Sequence, residues 1–224
     1  MKETSPKAFR KIAAAEPDAV AIDGRHHRSI KTRQIIVTAF IDLIGRGHPS
    51  PTAEQIATHA QVGLRTVFRH FDDMETLYRE ITQRLDELMM PLVHKHLKAT
   101  LWSDRLVESI ERRCDIFDRL APYHIAAQLH MHDSEYILQQ VNRRVKIEKD
   151  ILAWLLPAAY VEDRVFFEGL SMLVSLETWM RLRGLQGLSA SKAKAVVLKA
   201  VQSLLASHPE FQTPQILASR TNQP

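Results

Sequence analysis

The chain has 224 residues, 45% of them apolar and 25% charged, the balance of a globular protein whose core is large enough to need no covalent staple. Its one cysteine, Cys114, excludes an intrachain disulfide and any multi-cysteine zinc site, and fits a reducing compartment. Lys and Arg number 30 against 26 Asp and Glu, a net charge of +4 that is too mild to name a partner until its location is known.

No apolar run reaches the roughly 18–20 residues of a membrane span, and the first thirty residues hold no hydrophobic block, so a cytoplasmic protein without membrane contact is expected. Strand-like alternation is hard to find, and an all-α fold follows. Residues 1–28, with Pro6, Pro17, Gly24 and charges of both signs, read as a flexible basic arm. From Ser29 the apolar residues Ile36, Phe40 and Leu43 recur at helical spacing, until Gly45, Gly47 and Pro49 break the pattern. Thr52 and Gln55 form a capping box that opens a short second helix bearing Ala53, Ile56, Ala57 and Ala60. Gly63 sits where a tight turn is expected, and Leu64 to Phe71 gives a third short helix. It sets Leu64, Val67 and Phe71 on one side and Arg65, Thr66 and Arg69 on another. Asp72 and Glu75 read as a second capping box, opening a helix through Leu77, Ile81, Leu85 and Leu88 as far as Pro91.

Farther on, Leu106, Ile110 and Phe117 predict a helix ending near Pro122, with a short one following to about Asp133. Ile137, Val141, Val145, Leu152 and Leu155 form one stripe, interrupted by Glu148 and ended by Pro157. Val165, Gly169, Met172, Leu173, Leu176 and Met180 predict one continuous helix closed by Gly184 and Gly187. Ser189 caps the last helix, which turns Val197, Val201 and Leu204 inward, and residues 208–224 read as a polar tail.

Two short helices joined by a turn, the second with a polar face, are the elements of a helix-turn-helix that enters a major groove. The charge agrees: between Gly24 and Phe71 lie Arg25, Arg28, Lys31, Arg33, Arg46, Arg65 and Arg69 against Asp42 and Glu54, a net +5.

In the run Thr52-Ala-Glu-Gln-Ile-Ala-Thr-His-Ala60 through Gly63-Leu-Arg-Thr-Val-Phe-Arg-His-Phe71, followed by Glu75-Thr-Leu77, the sequence resembles the TetR family of bacterial regulators. The resemblance covers roughly Ser29 to Leu85. It implies an N-terminal DNA-binding domain over 29–90 and a helical ligand-binding and dimerisation domain over 91–207. It also implies a phosphate contact for Thr52, and a groove-facing recognition helix carrying Arg65, Thr66, Phe68, Arg69 and His70. The sequence departs from the family at three points. Phe68 stands where a tyrosine hydroxyl usually meets a phosphate, Met74 where a lysine is frequent, and Gly63 where a small N-capping serine is frequent. The arm's Arg25 and Arg28, with Lys31, are expected to add phosphate or minor-groove contacts.

The same resemblance implies an effector pocket in the second half, for which Trp102, Phe117, Met131 and Trp154 are the candidates, core packing being the alternative for each. The stripes containing Val165, Gly169, Leu173 and Leu176, and Val197, Val201 and Leu204, lie where the family forms a homodimer interface. His94, His96, His124, His130 and His132 are read as surface histidines rather than metal ligands, because residues two apart diverge on a helix. No catalytic residue and no cofactor is assigned. The expected function is that of a repressor, dimeric on a pseudo-palindromic operator in double-stranded DNA and released by a small apolar effector. The alternatives are a helical protein-interaction module, or an enzyme acting on an apolar small molecule, with vestigial DNA binding.

Overall fold

The computed structural model describes residues 17–71 and 73–208, with the side chains of 17–25 and 74 excepted. The described residues are helical and contain no strand. They form α1 Pro17–Gly45, α2 Ala53–Ala60, α3 Leu64–His70, α4 Met74–Val93, α5 Trp102–His130, α6 Glu135–Leu155, α7 Ala158–Glu162, α8 Arg164–Leu173, α9 Leu176–Met180, a π turn Arg181–Leu185 and α10 Ala190–Ala206. The chain divides into two compact units, Met1–Leu77 and Tyr78–Pro224, so the division falls within α4 and before the boundary at residue 90 read from the sequence.

In the first unit α1 begins at Pro17, a residue suited to a first helical turn, and residues 17–28 are helical backbone rather than part of an arm. Its far end closes as the sequence requires: Gly47 takes φ +92° and the His48 amide donates to the Leu43 carbonyl at 3.0 Å. The buried face of α1, centred on Ile36, Phe40 and Ile44, meets Ile56, Ala57 and Ala60 of α2. The fourth helix is capped one residue later than expected, by Asp73, whose carboxylate accepts from the Thr76 amide at 2.6 Å. It continues through Pro91 to Val93.

In the second unit α5 also runs through its proline, Pro122, as one helix of 29 residues. The lost backbone bond is tolerated because Phe117, His124 and Ala126 are buried on either side of it. The expected single helix over 165–180 is instead two pieces, α8 and α9, followed by the π turn. Ser175 accepts from the Thr178 amide and restarts the chain as α9. Asp118 of α5 then accepts from the Trp179 indole at 3.1 Å and from Arg183 at 2.9 Å, tying down α9 and the π turn. The core is built from Leu106, Ile110, Phe117, Leu152, Tyr160, Phe166, Leu170, Leu176, Trp179, Val197 and Val201, with neighbours.

One feature of this core is polar. Arg144 pairs with Glu148 at 2.5 Å and with Glu177 at 2.7 Å, and Arg113 donates to the backbone carbonyls of Glu148 and Val174. Glu148, the break in the apolar stripe of α6, is therefore the counter-charge for two arginines. Burial pushes its carboxyl up, against the pull of Arg144 and Arg113. His124, read as a surface residue, is only 7% exposed, its Nε2 3.6 Å from a Glu177 carboxylate oxygen and without a hydrogen bond.

Two expectations follow. Glu148→Gln leaves the buried Arg113 without a carboxylate and Arg144 with Glu177 alone, and should destabilise the fold by about 3–5 kcal/mol in denaturant titration, the usual cost of breaking a buried pair. Burial, reinforced by Arg144, holds the His124 pKa below its ordinary value despite Glu177. The unfolded chain therefore takes this proton first, and stability contributed by neutral His124 is lost as the pH falls below about 6.5. Between pH 7.5 and 5.5 the wild type should lose more stability than His124→Gln, and equal losses would remove His124 from that dependence.

Candidate nucleic-acid interface

The second helix is set by its cap. The Gln55 amide donates to the Thr52 hydroxyl oxygen at 3.2 Å and the Thr52 amide donates to the Gln55 side chain at 2.8 Å, the reciprocal box read from the sequence. Thr52 is exposed at the helix N-terminus, where backbone N–H groups favour an anion. Its side chain also serves Glu54, whose carboxyl is held below the ordinary range by its own amide and then by Thr52.

The turn departs from expectation in an informative way. The left-handed residue is Gln61, at φ 55° and ψ 41°, while Gly63 is extended at φ −69° and ψ 144°. Gln61 closes α2 by donating to Thr58 and Val62 by donating to Ala57. Gly63 leaves the start of α3 without a side-chain cap, and a Cβ there would meet Thr66 only at ordinary contact distance.

Val67 and Phe71 are buried and fix which face of α3 points outward. That face carries Arg65, Phe68 and Arg69, spaced at i, i+3 and i+4 and all exposed. Phe68 is 57% exposed, so it does not support the core. Leu64 is also exposed, whereas Thr66 and His70 are half-buried at the sides of the helix. Arg28 and Lys31 are exposed on α1, three residues apart, and the side chain of Arg25 lies outside the described residues. Arg33, counted from the sequence only as part of the basic charge, turns inward. Its Nη1 donates to the His70 carbonyl at 2.5 Å and its guanidinium lies 4.4 Å from the Phe71 ring centroid. A partner 37 residues away leaves no signal in the local pattern.

The residues expected to bind an effector are not brought together. Phe117 is buried in the core, Trp102 packs against Tyr160 with tilted rings 5.4 Å apart, Met131 ends α5, and Trp154 is 68% exposed beneath Arg105. A cavity of about 10 Å³, room for one water, lies instead among Ile110, Arg113, Phe117, Leu173, Trp179 and Val197. The Cys114 thiol also borders it and is pushed up to about 11 by burial, so it is not a nucleophile at neutral pH. Among the described residues no group of His, Cys, Asp and Glu is placed to hold a metal, and no helix is long and apolar enough to cross a membrane.

The residues expected to pair two chains divide in the same way. Leu176, Val197 and Val201 are buried in the protomer's own core and have no surface left for a partner. Leu173 and Leu204 pack partly against that core, Gly169 is half-exposed, and Val165 is exposed.

No protein-family model and no curated protein matches the sequence. Solved structures do. A TetR-family transcriptional regulator from Streptomyces coelicolor superimposes with a TM-score of 0.63 at 17% identity, over 81% of this chain and 83% of that one. A protein from Pseudomonas aeruginosa PAO1 assigned as a transcriptional regulator gives 0.57 at 17% identity, over 80% and 93%. Another from Streptomyces coelicolor A3(2), assigned likewise, gives 0.50 at 18% identity, over 75% and 97%. At such identities the likeness concerns architecture alone, and the fold of this chain is similar to that of the TetR-family regulator from Streptomyces coelicolor.

Proposed function

We propose that this protein is a sequence-specific DNA-binding transcriptional regulator that reads a major groove with α3. The observation that carries the proposal is the outward face of that helix, where two arginines flank an exposed phenylalanine on a segment of net positive charge. Arginine donates bidentately to guanine O6 and N7, and Phe68 meets the thymine methyl, a role open to it because it carries no hydroxyl for a phosphate. Thr52, Arg28 and Lys31 hold the backbone, with Arg25 in the same stretch of α1 and Thr66 and His70 at the margins of the reading face.

A seven-residue helix reads few base pairs, so specificity calls for a second copy at a fixed spacing, and we read the protein as a homodimer on a pseudo-palindrome. The face that supports pairing is narrower than the one expected from the sequence. It consists of Val165, Gly169 and Met172 on α8 with Val196 on α10, exposed or half-exposed apolar positions, Met172 being 64% exposed. We further read it as a repressor released when a small, largely apolar effector parts the helices around the Phe117 cavity and favours a dimer whose two reading helices no longer fit the half-site spacing.

Selection of bound duplexes from a random pool tests this reading. It should enrich a two-fold symmetric site, bound with strong salt dependence. Arg65→Ala and Arg69→Ala should each weaken that site by about 1–3 kcal/mol and relax one base-pair preference. Equal weakening on all duplexes would reassign either arginine to phosphate contact, and absence of salt-sensitive binding to any duplex would favour the protein-interaction alternative. For assembly, light scattering should give two chains for the wild type. Met172→Glu should give one helical chain that keeps only weak, salt-sensitive binding, because it sets a charge into the apolar contact. Val201→Glu, by contrast, should unfold the protomer, since Val201 lies in its core.

A further inference from the structure

The C-terminal end of the reading helix α3 is met by a side chain from α1. The helix has seven residues, no side-chain cap at its start, and a final backbone bond from the Phe71 amide to the Val67 carbonyl. The carbonyls of its last turn, the negative end of the helix dipole, have no further turn to bond to. Arg33 meets that end. From α1, three residues before the buried Ile36, it donates to the His70 carbonyl at 2.5 Å and lies against the face of the buried Phe71 ring at 4.4 Å. One guanidinium thus performs three tasks: it caps a carbonyl, places a positive charge at the negative dipole end, and clamps the aromatic anchor of the helix.

We infer that Arg33 is a positioning residue for DNA reading: it fixes the tilt and depth of α3, and so the register of Arg65, Phe68 and Arg69, and it is not itself a phosphate contact. The inference rests on the proposed DNA-binding function. Its physical basis is that a hydrogen bond aimed at base edges fails when its donor is displaced by about an ångström, whereas backbone attraction tolerates the shift. Loss of Arg33 therefore costs specificity rather than general attraction to DNA.

The test uses the full chain with Arg33→Met and Arg33→Lys, the duplex enriched by the wild type, and a scrambled duplex of equal length. Arg33→Met should weaken the enriched duplex at least tenfold while leaving the scrambled duplex and the salt slope unchanged, and should speed amide exchange in Val67–Phe71 about tenfold, with exchange in α5 unaffected. Arg33→Lys, which can still donate to His70, should recover part of both effects. Equal weakening of both duplexes, a salt slope reduced by about one and unchanged exchange in α3 would overturn the inference and make Arg33 a phosphate contact. If the wild type distinguishes no duplex, the function proposed above fails, and the exchange arm still decides whether Arg33 holds α3. Should Arg33→Met lose its helical circular dichroism, arginine nitrogen resonances of the wild type decide, with Arg33 assigned from Arg33→Lys. Slowly rotating Nη groups that stay in place when scrambled duplex is added support positioning. Freely rotating groups that shift on its addition overturn it.

Discussion

The first unit rests on the burial of two side chains from a helix too short to exist alone. Seven residues form less than two turns, well below the length at which helices persist in water, so α3 owes its conformation to the contacts of Val67 and Phe71. Those contacts also determine what the helix presents. With positions 67 and 71 buried, helical geometry leaves 65, 68 and 69 outward, and the chemistry of the reading face becomes a consequence of packing. The turn before α3 is held at some conformational cost, with Gln61 in the left-handed region where a glycine or asparagine is more usual. The second helix and its reciprocal cap oppose that cost and fix the angle at which α3 leaves the turn.

The second unit solves a different problem. Its core takes in Arg113, Arg144 and Glu148, and the exposed Glu177 pairs with Arg144 at the rim, a set whose charges cancel while His124 stays neutral. Such a cluster adds little stability compared with an apolar replacement, but each member becomes costly to remove. It bonds α5 to α6 and to the segment between α8 and α9, where Arg113 donates to the Val174 carbonyl. The break in the helix over 165–180 and the small cavity beside Arg113 lie at this junction.

What could be read from the sequence was what is local. The Thr52–Gln55 box, the stripe of α1, the Gly47 stop and the placement of Val67 and Phe71 all arise within a few residues, and each takes the form expected. The misreadings have physical causes. Pro91 and Pro122 were expected to end helices, yet burial of the flanking residues outweighs one missing backbone bond in α5. Leu176, Val197 and Val201, expected where two chains meet, are buried in the chain's own core, because periodicity reveals a face without revealing what covers it. His124 read as a surface residue for the same reason. Arg33 and Arg113 were legible only as charge, their partners lying 37 and 61 residues away.

Whether DNA sits on the outward face of α3 is decided by mapping amide exchange along the whole chain with and without an excess of enriched duplex. Slowed exchange should concentrate in residues 52–71 and around Arg28 and Lys31, with the core of the second unit unchanged by direct contact. Protection confined to helices α5–α10, with residues 52–71 exchanging as in the free protein, would contradict that placement.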